Sequence, residues 1–98
     1  SPQEQNSLSL ITIQAALEWG CPFILYWELY NNELEADGQQ RGFWMIDDKG
    51  TKQPIYETHR LYYQWARQFV TDFITRTGAP PAAPEFRTAA AAYFKSRP

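Results

Sequence analysis

The sequence predicts an α/β chain in which one strand, buried on both faces, lies between two helices with wide apolar faces. Three observations carry that expectation. Residues 23–30 (Phe-Ile-Leu-Tyr-Trp-Glu-Leu-Tyr) are almost continuously apolar or aromatic, without the alternation of a half-exposed strand. Residues 2–19 and 54–76 repeat apolar side chains every three or four positions. Glycine and proline sit where these segments should stop and start.

The first helix is expected over residues 2–19. Ser1 can cap it, Pro2 suits its first position, and Glu4 completes a capping box. Leu10, Ile13 and Leu17 fall at helical spacing, flanked by Leu8, Ile11 and Ala15, so the apolar face is broad. Gly20 is a natural C-terminal cap. The strand follows over residues 21–30. Pro22 at its entrance and its β-forming side chains argue against a helix there.

Residues 31–40 read as a polar, acidic loop with Glu33, Glu35, Asp37 and Gly38. Residues 42–46 read as a short strand, 47–50 as a turn and 51–53 as a second extended piece, together a small hairpin. Pro54 opens the second long helix. Ile55, His59, Tyr62, Ala66, Phe69 and Phe73 form its stripe, Tyr63, Val70 and Ile74 widen it, and Gly78 stops it. Residues 79–84 are a stiff Pro/Ala linker, and 85–96 a short helix from its alanines and the Tyr93-Phe94 pair. No internal repeat is visible.

The 98 residues amount to at most one ordinary domain, apolar enough to fold at 44% hydrophobic and 16% aromatic. Net charge is −2, and the nine basic residues are scattered, which argues against a nucleic-acid surface. No run of about 18 uncharged apolar residues is present, so no membrane span is expected. One cysteine, Cys21, and one histidine, His59, give no zinc spacing, and no metal or cofactor is expected. Cys21 reads as a small apolar residue rather than a nucleophile, and His59 as a structural residue on a helix stripe.

A lone parallel strand cannot satisfy its backbone groups. The chain also opens on Ser1-Pro2 without an initiator Met. The expectation is therefore a slice of a larger assembly, or a strand that finds partners in other copies of the chain.

Residues 17–33 (Leu-Glu-Trp-Gly-Cys-Pro-Phe-Ile-Leu-Tyr-Trp-Glu-Leu-Tyr-Asn-Asn-Glu) resemble the seventh helix and eighth strand of (β/α)8-barrel glycoside hydrolases, with retaining clan-A-type enzymes the closest fit. Residues 41–50 (Arg-Gly-Phe-Trp-Met-Ile-Asp-Asp-Lys-Gly), then Gln53-Pro54-Ile55-Tyr56, resemble the segment that leads into their last helix. The resemblance covers residues 1–78 and implies a partial TIM barrel, its last quarter, with a linker at 79–84 and a helical tail at 85–98. The sequence leaves the compartment open, and the resemblance favours a secreted or periplasmic setting. The family's acid/base and nucleophile carboxylates belong to strands four and seven, which lie outside this segment, so no catalytic residue carries over.

What the resemblance implies is one wall of a sugar site. Trp27, at the strand's end, would stack on a pyranose. Glu28 points to the opposite side of the strand and would bond a hydroxyl or a neighbouring loop; its alternative is a buried, paired carboxylate. Asn31, Asn32 and Glu33 would line the rim, against a plainly solvated loop. Trp44, with Tyr30, would extend the aromatic platform, against simple hairpin packing. Glu28 and Glu33 are poorly placed as a catalytic pair, which needs a sugar held across roughly 5–9 Å. The expected function is thus part of a glycoside hydrolase acting on an oligo- or polysaccharide. The alternatives are a non-catalytic module that binds a glycan or a protein, and an excised or engineered barrel piece that assembles with remaining barrel segments or other copies.

Overall fold

The computed structural model describes residues 1–21, 24–25, 44–47 and 49–97. Among them the chain forms three helices, α1 (Pro2–Trp19), α2 (Pro54–Thr77) and α3 (Ala83–Lys95). Extended pairing is limited to one isolated antiparallel bridge between Ile46 and Lys52. The described fold is therefore all-helical, and the expected α/β slice of a TIM barrel is overturned.

Local chemistry sets each helix. The Ser1 hydroxyl accepts the Glu4 backbone N–H at 3.2 Å, and the Glu4 side chain reaches back to complete the capping box. Gly20, at φ 79°, closes α1 in the left-handed conformation, and its N–H and that of Cys21 return to the Leu17 and Ala16 carbonyls. Pro54 and Gly78 bound α2 in the same manner, with Gly78 at φ 83°. Pro84 sits in the first turn of α3, where its missing N–H has no intrahelical partner to lose.

The expected strand at 21–30 falls partly outside the described residues. Its described members contradict a strand buried on both faces: Cys21 is exposed, Ile24 is 40% exposed and Leu25 is 90% exposed. None of the three pairs with a strand. Of the expected hairpin, the described residues keep the turn and the single antiparallel bridge of Ile46 with Lys52. Asp47 Oδ1 accepts the Lys49 and Thr51 N–H groups at 2.9 and 2.8 Å, and Gln53 N–H donates to the Met45 carbonyl at 2.7 Å. An aspartate that captures the backbone two residues on holds such a turn beside so short a pairing.

The core lies where the three helices meet. Leu17 of α1 and Ala90, Tyr93 and Phe94 of α3 are buried, with Leu10, Ile13, Tyr62, Trp65 and Phe86 packed against them. Aromatic rings bridge α2 and α3: Tyr62 to Phe94 at 5.1 Å between centroids, Trp65 to Tyr93 at 4.9 Å, and Phe69 to Phe86 at 6.0 Å. This ring stack offers α1 the broad apolar floor that a sheet would otherwise supply. The segment read as a tail thus supplies much of the core, because Phe86, Ala90, Tyr93 and Phe94 share one face of α3. Polar ties fix the register. Thr58 Oγ1 donates to Asn6 Oδ1 at 2.6 Å, Gln14 Nε2 to the Phe94 carbonyl at 3.4 Å, and Gln5 Nε2 to the Trp44 carbonyl at 3.2 Å. Lys95 and Glu18 add an exposed ion pair at 3.8 Å, weak because water screens it.

Candidate functional site

Two features of the folded chain could meet another molecule. The first is the outer face of α1. At 100° per residue, Leu8, Ile11, Ala15 and Trp19 fall within about 80° of arc, directly opposite Leu10, Ile13 and Leu17. The inner set packs into the core. In the outer set Leu8 is 57% exposed, Ile11 65% and Trp19 89%, and Ala15 is also exposed. A helix in water normally shows one apolar stripe; α1 shows two. Between Glu4 and Glu18 it carries no charged residue.

The second feature is a cavity of about 230 Å³ between the helices. Ile13, Leu17 and Cys21 line it from the α1 side, Thr58, His59 and Tyr62 from α2, and Phe86, Arg87 and Phe94 from α3, with Ile24 at its margin. His59 Nδ1 lies 2.9 Å from the Ile55 carbonyl, which can only accept, so Nδ1 is the donor of this bond. Burial pushes the Tyr62 phenol above its ordinary pKa, with the neighbouring Tyr93 adding to the effect. The Arg87 guanidinium approaches α1 at its C-cap. A Cβ on Gly20 would sit 3.6 Å from Arg87 Nε.

Of the residues singled out for a sugar site, Trp27, Glu28, Asn31, Asn32 and Glu33 lie outside the described residues. Trp44 is half-buried, and its carbonyl anchors the turn to Gln5 of α1. The fold does not bring it into the cavity. His59 sits among core-facing groups at the cavity wall, and Cys21 is a free, exposed thiol at its edge. Among the described residues no cluster of His, Cys, Asp and Glu could hold a metal ion, and no helix is long and apolar enough to cross a membrane. Sequence reasoning missed Arg87. The signal was present: Arg87, Ala90 and Phe94 recur at i, i+3 and i+7, which places the arginine on the core-facing side of α3.

No family model, no curated protein and no solved structure matches this chain. The resemblance to (β/α)8 glycoside hydrolases is corrected on both counts, since neither the helical fold nor any relative supports it. The motif-like runs that suggested it are short aromatic and turn sequences. A helical chain can carry these as a cap (Gly20) and an Asx turn (Asp47).

Proposed function

We propose that the chain is a non-catalytic interaction module that assembles with a second copy of itself through the outer face of α1. The observation that carries this reading is the second apolar stripe, Leu8, Ile11, Ala15 and Trp19, on a helix whose opposite face is already packed. Contiguous apolar side chains of this kind mark interaction surfaces, and burying each Leu or Ile contributes roughly 1.5–3 kcal/mol.

A second copy is the occupant that the charge pattern favours. The uncharged stretch 5–17 offers nothing to repel its own image. Antiparallel pairing about a two-fold axis near residues 11 and 12 sets Leu8 opposite Ala15 of the other copy, large against small. It also brings each Glu18 opposite Gln5 of the other copy, at the positive end of that helix, where Glu4 is already paired with the Ser1 amine. Parallel pairing would instead align the two helix dipoles side by side.

The test is disulfide cross-linking in a Cys21→Ser background. A mixture of Leu8→Cys and Ala15→Cys chains should yield the mixed 8–15 dimer at several times the rate of an Arg67→Cys control on exposed α2. Cross-linking no faster than that control would sink the reading.

A further inference from the structure

We infer that the inter-helix cavity is a binding site for a small apolar monocarboxylate, whose carboxylate is held by Arg87 and whose hydrocarbon part fills the space between α1, α2 and α3. The walls are apolar on three sides: Ile13 and Leu17 of α1, Tyr62 of α2 and Phe94 of α3, with Ile24 at the margin. Leu17 and Phe94 are buried members of the core cluster, so this part of the wall is built and not a surface dimple.

Arg87 is the cationic group on the wall, and it is only partly exposed. Among the described residues the ion pairs join the Ser1 amine to Glu4, Arg60 to Glu57, and Lys95 to Glu18; none involves Arg87. A partly buried guanidinium that no described carboxylate pairs is well suited to receive one, because its planar fork matches a carboxylate in two parallel hydrogen bonds. Arg87 lies beside Gly20 at the C-terminal end of α1, where the helix carries partial negative charge.

The volume limits the ligand. A cavity of about 150 Å³ holds benzene, so at the same density 230 Å³ accommodates about nine non-hydrogen atoms. Hexanoate and benzoate have that size. The inference concerns the inner side of α1 and is independent of self-association through its outer side.

Titration of the full chain with hexanoate and benzoate, read by amide and arginine-Nε NMR shifts, tests it. The neutral analogues hexanamide and benzamide serve as isosteres. The expected result is saturable binding of the acids, with Thr58, His59 and Arg87 signals shifting, at least about tenfold tighter than the amides. Arg87→Gln should remove that tenfold preference while leaving amide binding in place. Two results would overturn the inference: no saturable shift with either acid, or acids and amides bound equally well by the unmodified chain. Neither depends on a variant folding.

Discussion

The two faces of α1 carry nearly the same side chains and meet opposite fates. Leu10, Ile13 and Leu17 lie against rings from α2 and α3, while Leu8, Ile11 and Trp19, half a turn away, stand in solvent. Composition does not separate them. What separates them is whether the rest of the chain supplies a surface. α2 and α3 each bring one aromatic stripe, and both stripes are used up against each other and the inner face. Nothing described in the chain remains to cover the outer face, and that imbalance motivates the assembly reading.

The comparison can be broken most forcefully from inside. Phe94 is 2% exposed and touches Tyr62 and Tyr93, so Phe94→Ala should cost about 3–5 kcal/mol in denaturant unfolding. On α1 itself, Leu17→Ala should cost about 2–5 kcal/mol. Leu8→Ala, measured at concentrations dilute enough for a monomer, should change stability by no more than about 0.5 kcal/mol. Equal losses at 8 and 17 would mean that the outer face is already covered within one chain. Gly20→Ala should cost about 1–2 kcal/mol, because the left-handed φ of 79° that ends α1 penalises any Cβ.

The smallest effect is a pH dependence. The folded-state pKa of Tyr62 is raised by burial, so the unfolded chain loses the phenolic proton first. Its contribution is fully present below the unfolded value near 10.0 and is lost as pH rises through the higher folded value. Tyr62→Phe should flatten the alkaline limb of the stability profile above about pH 10. A limb unchanged by that substitution would remove the buried phenol from the account.

Local signals in the sequence read true where the physics is local. Ser1, Pro2, Glu4 and Gly20 mark the ends of α1, and Pro54 and Gly78 those of α2. The sequence signal failed at what packs on what. A wide apolar face on α1 reads as facing a sheet, because one helix seldom covers so much. Here two aromatic-lined helices cover half of it, and the other half is left open. The continuous apolar run at 23–30 compounded the error, since continuity alone does not distinguish a doubly buried strand from other apolar segments. Leu25, at 90% exposure, is the described residue that contradicts the strand most directly. For the cavity, Arg87 was hidden by its place in a segment read as a tail. Its alignment with Ala90 and Phe94 becomes informative once α3 is known to be central.

Sedimentation equilibrium of the unmodified chain beside Ile11→Glu tests the central claim most directly. Ile11 is 65% exposed at the middle of the outer stripe, so the substitution leaves the core untouched. The account predicts a concentration-dependent dimer for the unmodified chain and, for Ile11→Glu, a monomer of unchanged helicity whose melting matches that of the unmodified chain diluted to a monomer. A chain that stays monomeric across the micromolar to millimolar range, or a dimer indifferent to glutamate at position 11, would contradict it.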